Sequence, residues 1–306
     1  MALFPTYYLD TVVAIGVGDD SIKRRWIGTG FIFGRFLKEI ADKNKKYYRL
    51  WLITNKHVLT DLRNVYIKFN SAQDTQSKDY RVQLVARNGR TRWIGHPVES
   101  IDVAAIFLNP NFLREEERRF SYFPSDVHIM DREQMRTDGV TEGDRIFVLG
   151  FPMGLVAPDR QYVICRGGYL ARVRDFIEGR TTRFLIDATV FPGNSGGPVI
   201  LCPTALAIEG TKQIQKSELI GIVKGYVPYV DEAVSLQTQQ TRITFEENSG
   251  LAAVESVDSI IETVELAEKR IVGRAAKARS RAKRRQESTS TEQSDAFDGV
   301  PALLAT

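Results

Sequence analysis

Between residues 8 and 255 the chain is broken into short apolar, β-branched runs separated by Gly, Pro and Asn. Six runs come first: Thr11–Val17, Ile27–Phe33, Tyr47–Thr54, Asn64–Phe69, Arg81–Ala86 and Ile101–Leu108. Seven follow a break: Arg145–Leu149, Tyr162–Cys165, Tyr169–Val173, Arg183–Ile186, Val199–Cys202, Leu219–Val223 and Arg242–Phe245. Nothing between them alternates strand with helix, as a parallel sheet requires. Many short strands with turn punctuation predict an all-β barrel or sandwich.

The break, Asn109–Gly139, carries a charged run from Arg114 to Arg119 and a polar stretch after Asp131. It divides the chain into an N-terminal β unit, 1–112, a linker, 113–138, and a second β unit, 139–255. From Ser256 the period changes. Val257, Ile260, Ile261, Val264, Ile271 and Val272 follow helical spacing. Ser259 and Glu262 fit a capping box, with Ser256 as the alternative cap. The predicted helix, 256–285, is amphipathic and then basic, with Arg270, Arg274, Lys277, Arg281 and Arg285 on one stripe. Residues 286–306 are polar and read as a disordered tail.

With 306 residues, 43% of them hydrophobic, the chain can bury a core without staples, which excludes a disulfide-dense mini-scaffold. The net charge of +4 is misleading, because residues 269–285 hold nine Lys or Arg and no acid. The remainder has 33 basic and 38 acidic residues, so the body is mildly acidic and does not read as a nucleic-acid-binding core. The two cysteines, Cys165 and Cys202, exclude a disulfide framework. The first residues show neither a basic nor a long apolar signal region, and no apolar run is long enough to span a membrane. The expected location is cytoplasmic. Neither Cys nor His has metal-ligand spacing, and the Gly pairs at 16–18 and 28–30 lack the rest of a dinucleotide fingerprint. No metal or cofactor is expected.

The sharpest segment is Phe191-Pro-Gly-Asn-Ser-Gly-Gly-Pro-Val199. Its glycines allow positive φ, so a tight turn can expose Ser195 while the N–H groups of Gly193 and Ser195 converge as a candidate oxyanion hole. A serine hydroxyl is a weak nucleophile without a base. Of the three histidines, His57 closes the apolar strand in Thr54-Asn-Lys-His-Val58, whereas His96 and His128 read as surface or core residues. A buried carboxylate that orients the imidazole completes such a set. Asp102, at the head of the apolar run in Ser100-Ile-Asp-Val-Ala-Ala-Ile106, fits, with Asp187 as its rival. Gly193-Asn-Ser-Gly-Gly197 also fits an α/β-hydrolase elbow, but that fold places its histidine after the serine, and none follows here. The order is His, Asp, Ser.

These three segments together resemble the trypsin/chymotrypsin superfamily, and most closely its bacterial HtrA-like branch. Gly28-Thr-Gly-Phe31, Gly143 to Pro152, Arg166-Gly-Gly168 and Gly221-Ile-Val-Lys-Gly225 look like further landmarks of that branch. The resemblance covers about residues 8–270. It implies two six-stranded antiparallel barrels with the active site between them, followed by a C-terminal helix. It also implies a serine endopeptidase acting on protein or peptide substrates. In it Ser195 is the nucleophile, His57 the general base and Asp102 the orienting acid, with Gly193 and Ser195 as oxyanion donors. Thr189 lies near the specificity-pocket base, Gly225 and Tyr226 lie along its wall, and the substrate strand pairs near Val223, Lys224 and Gly225. An uncharged Thr189 implies small or medium uncharged residues before the scissile bond. Digestive members carry Asp before the serine to pair with a newly cut N-terminus. Asn194 has no charge for that pair, so activity without processing is expected. The stretch after Gly250 is too short for the PDZ domain such relatives carry. The basic segment 269–285 is a candidate contact for an anionic partner: nucleic acid, a membrane surface or an acidic protein. The competing expectation is a protease-fold peptide-binding protein or scaffold recruited through that segment.

Overall fold

The computed structural model describes residues 4–40, 45–73, 75–204, 212–271 and 273. The tail and most of the basic stretch expected to be helical lie outside them. The chain forms two compact units, Met1–Val264 and Glu265–Thr306, and the first holds both sheets.

The first sheet is antiparallel and built on β1 (Val12–Val17), β2 (Arg25–Ile40) and β3 (Lys45–Thr54). A one-turn helix, α1 (Lys56–Leu59), follows β3. Four more strands complete the path: β4 (Asn64–Phe69), β5 (Lys78–Gln83), β6 (Trp93–Gly95) and β7 (Ala104–Leu108). The strand order is β5-β4-β1-β2-β3-β7-β6, and its inward side chains, among them Ile15, Ile32, Leu52, Ile67 and Leu84, form one core. This sheet is a half-barrel of eight strands, seven on this path and a short eighth beside β2, against the six expected. No ladder joins β5 to β6. The ends approach through a bridge between Val85 and Thr91 and a 2.8 Å bond from the Arg92 N–H to the Leu84 carbonyl.

The linker is not featureless. Asn109 caps α2 (Pro110–Glu115), and β8 (Phe123–Pro124) pairs in parallel with β2. Asp131 caps α3 (Arg132–Asp138) by accepting the Gln134 N–H at 2.8 Å, and Gly139 ends it at φ 72°.

The second sheet is a closed barrel, as expected. Its strands are β9 (Arg145–Gly150), β10 (Ile164–Arg172), β11 (Arg183–Asp187), β12 (Pro198–Leu201), β13 (Glu218–Val234) and β14 (Thr241–Ser256), ordered β10-β11-β14-β13-β12-β9. The short helix α4 (Arg174–Ile177) joins β10 to β11. Two predicted runs, 162–165 and 169–173, merge into β10. The glycines between them mark a close approach, since a side chain on Gly168 would meet the Asp187 carbonyl at 2.4 Å. β13 and β14 run far past the predicted strands as a two-stranded ribbon that exposes Tyr229, Val230, Ile243 and Phe245. The final helix, α5, occupies 257–271, and Val257, Ile260 and Val264 on it are fully buried. Its cap is Ser256, whose Oγ accepts the Ser259 N–H at 3.4 Å. Among the described residues no helix is long and apolar enough to cross a membrane. Cys165 is exposed, Cys202 is buried, and both are free.

Candidate active site

β3 ends at Thr54, and α1 turns the chain so that His57 faces the start of β7. Asp102 sits there and is held on every side. Its Oδ2 meets His57 Nδ1 at 2.5 Å, and its Oδ1 accepts the His57 backbone N–H at 3.1 Å. Its carbonyl accepts from Asn55 Nδ2 at 2.7 Å, and its own N–H donates to Glu255 Oε1 at 3.2 Å. Burial alone would raise the Asp102 carboxyl, but the hydrogen bonds and charge of His57 outweigh it and hold the group below the ordinary carboxylate range. The carboxylate is buried while the imidazole remains half exposed. With Nδ1–H directed at Asp102, Nε2 is left with its lone pair free to accept a proton.

Ser195 lies on the turn between β11 and β12. Asn194 closes that turn from within: its N–H donates to the Phe191 carbonyl at 2.9 Å and its Oδ1 accepts the Phe191 N–H at 3.0 Å. The turn docks on the first sheet through Thr29, which is fully buried on β2. Thr29 Oγ1 donates to the Gly193 carbonyl at 2.6 Å and accepts the Phe151 N–H at 3.1 Å, and the Thr29 N–H donates to the Ser195 carbonyl at 2.8 Å. Thr54 Oγ1 donates in turn to the Thr29 carbonyl at 2.8 Å. Gly196, at φ 88°, has no room for a side chain, since a Cβ would lie 1.9 Å from the Thr29 carbonyl oxygen.

Gly193 adopts φ 100°, and the Pro192 carbonyl is taken by the Met153 N–H at 2.6 Å. The N–H groups of Gly193 and Ser195 have no acceptor among the described residues. The Ser195 hydroxyl does not bond His57. It donates to the Lys224 carbonyl at 3.1 Å. That carbonyl is available because Lys224 is the bulged residue of the β13–β14 ladder, between Val223 and Gly225. Lys224 Nζ reaches the Ser100 carbonyl at 3.3 Å and Glu255 Oε1 at 3.5 Å. His57, Asp102, Lys224 and Trp93 line one cavity of about 510 Å³.

The expected pocket residues are placed unevenly. Val223 is buried, and its N–H and C=O are both spent within the chain, on Gly197 and Gly196, so it offers no edge for a substrate strand to pair with. This corrects the expectation at that residue, and leaves Lys224 and Gly225 at the edge. The Tyr226 ring packs against the second core and its hydroxyl donates to Glu246 Oε1 at 2.6 Å. Thr189 is exposed, and its carbonyl accepts from Arg166 Nη1 at 3.0 Å. The rival Asp187 is exposed at the end of β11. His96 is buried, with Nε2 2.9 Å from Glu262, and His128 lies between the hydroxyls of Tyr7 and Tyr8.

Sequence reasoning missed Thr29 and Glu255. Thr29 lay inside the Gly28–Phe31 landmark without a role of its own. Glu255 is fully buried, and burial pushes its carboxyl up despite the Asp102 N–H, Arg183 and Lys224 beside it. A lone acid before the helix start, in an apolar stretch, was the available signal.

A family profile described as "Trypsin-like peptidase domain" matches residues 28–204, more than half of the chain. Among solved structures, the protease domain of MamO from Magnetospirillum magneticum is 14% identical, covering 80% of this chain and 94% of that one at a TM-score of 0.41. The inactive form of the Rv3671c protease is 15% identical, covering 84% and 89% at 0.41. The HtrA-type protease AlgW with a decapeptide is 15% identical, covering 86% and 66% at 0.44. No curated protein matches.

Proposed function

The chain belongs to the trypsin-like peptidase family, and we propose that it is a serine endopeptidase working through His57, Asp102 and Ser195. The observation that carries this reading is the His57–Asp102 pair, with Nδ1 fixed on a buried, low-pKa carboxylate 2.5 Å away. That bond sets the tautomer in which Nε2 can take the serine proton.

Turnover begins when the Ser195 hydroxyl leaves the Lys224 carbonyl and turns about its Cα–Cβ bond towards His57. Oγ then attacks the peptide carbonyl while Nε2 takes its proton. The carbonyl oxygen becomes an oxyanion facing the unengaged N–H groups of Gly193 and Ser195. His57 returns the proton to the leaving amine, giving an acyl-enzyme that water hydrolyses by the same steps. Asn194 closes its turn without a charged partner, which supports activity without N-terminal processing. At the pocket, uncharged Thr189 and the Arg166 cation at its carbonyl support small or medium uncharged residues before the scissile bond and disfavour Lys or Arg. The two free thiols fit a reducing compartment, and limited intracellular proteolysis in the cytoplasm is the proposed setting.

The resting bond from Ser195 to Lys224 favours one competing reading, a protease fold that binds peptides without turnover. Labelling the full-length protein with a fluorophosphonate separates the two. Labelling that requires both Ser195 and His57, tested with Ser195→Ala and His57→Ala, is the expected result. Ser195→Ala should lower turnover by about 10⁶-fold, and retention of more than about a hundredth would overturn the assignment.

A further inference from the structure

Asp61 and Trp93 line two cavities at once. One is the cavity holding His57 and Asp102. The other is an adjoining groove of about 1120 Å³ where the two ends of the first sheet approach. Arg63 stands before β4, Arg81 on β5, Arg87 in the following turn and Arg92 before β6, and all four line this groove and are exposed. Among the described residues none of the four guanidiniums has a carboxylate or hydrogen-bond acceptor. Asp61 is the one acid in the lining. Several other exposed arginines are paired, Arg136 with Glu133, Arg172 with Asp175 and Arg180 with Glu178. In a body with more acids than bases, four unpaired cations along one concave wall focus a positive potential. Guanidinium forks match carboxylates in geometry as well as charge.

We propose that this groove binds an acidic stretch of the polypeptide whose adjoining segment lies in the His57–Asp102 cavity. The continuity of the two cavities through Asp61 and Trp93 favours a polypeptide over nucleic acid. So does the single aromatic ring, since single-stranded nucleic acids bind on successive aromatic platforms. That the bound polypeptide is a substrate rests on the peptidase reading above. That it binds does not.

The test is fluorescence anisotropy with the full-length Ser195→Ala chain and three labelled probes: octaglutamate, octaglutamine and an eight-nucleotide thymidylate. The key variant combines Arg63→Ala, Arg81→Ala, Arg87→Ala and Arg92→Ala. A second background replaces the nine basic residues of 269–285 by Gln, removing the most basic segment of the sequence. Octaglutamate should bind more tightly than octaglutamine, weaken as salt is raised, and lose about tenfold or more in affinity in the groove variant, in both backgrounds. A change within about twofold in the groove variant overturns the proposal, as does equal binding of octaglutamine or no binding. Tighter, groove-dependent binding of the thymidylate overturns it in favour of nucleic acid. Urea unfolding checks the fold of the quadruple variant. Arg87→Gln with Arg92→Gln is the milder replacement, for which a loss of about threefold or more upholds the proposal and a smaller loss overturns it. Fluorophosphonate labelling of the wild-type chain is a separate readout, so failure of the peptidase reading and failure of the groove are distinguishable.

Discussion

Replacing Thr29 by Val should weaken both the fold and the nucleophile's setting. Valine keeps the shape and exchanges the hydroxyl for a methyl. The Gly193 carbonyl loses a 2.6 Å donor and the Phe151 N–H loses a 3.1 Å acceptor. Phe151 and Thr29 are fully buried, so water cannot replace either bond. Each stranded buried group costs about 1–3 kcal/mol, so the pair should lower unfolding stability by about 2–6 kcal/mol. The lost anchor also frees one side of Gly193, which should slow fluorophosphonate labelling of Ser195 by about tenfold or more. Urea unfolding and labelling rates are measured together, with Thr29→Ser as control. That variant keeps both bonds, gives up one methyl worth about 1 kcal/mol, and should label at nearly the wild-type rate. An unfolding free energy for Thr29→Val within about 0.5 kcal/mol of wild type, with unchanged labelling, would refute the reasoning.

Gly196→Ala forces a Cβ to within 1.9 Å of the Thr29 carbonyl at φ 88°, and should destabilise by about 3 kcal/mol or more; a near-wild-type urea midpoint would count against the docking described. Glu255 has a carboxyl raised above 4.5 by burial, so the native state holds its proton more tightly than the unfolded chain does. Stability from this group therefore falls as pH rises through 4.5 towards the folded pKa, and the difference in unfolding free energy between Glu255→Gln and wild type should shift in the variant's favour across that window. The same difference on both sides of the window would rule this out. Ser256→Ala removes the cap of α5 and should cost about 1 kcal/mol by urea unfolding, whereas Ser259→Ala would cost as much only if the cap lay there instead.

Most of the first sheet was legible from side-chain pattern, because β1, β3 and β4 each bury a continuous or alternating apolar face. The ribbon was legible only at Arg242–Phe245. From Tyr229 to Glu247 it buries no residue, so no buried face marks it, and its strands are held by backbone pairing and by cross-strand bonds such as that from Thr241 Oγ1 to Glu232 Oε2. The barrel's predicted break at 166–168 failed for a related reason. Glycine reads as an interruption in sequence, while here it admits the neighbouring backbone. The cap of α5 was ambiguous because Ser256 and Ser259 stand three residues apart and both precede apolar helical positions.

The candidate site divides along the same line. The turn that exposes Ser195, the strand end bearing His57 and the buried acid Asp102 are local features, fixed by glycine content, strand ends and the cost of burying a lone carboxylate, so their order along the chain was readable. Their state was not. The Ser195 hydroxyl rests on Lys224 because a bulge in β13 frees that carbonyl, and Asp102 is braced by Glu255 from 153 residues away. The arginine groove is likewise invisible in one dimension. Its four cations are spread from 63 to 92, while the longest basic run in the sequence lies at 269–285. Residue types and local turns depend on neighbours in sequence, which the chain states outright. Hydrogen-bond partners, ladder bulges and shared cavities depend on which distant backbones meet, and that is settled when the two sheets curl and pack.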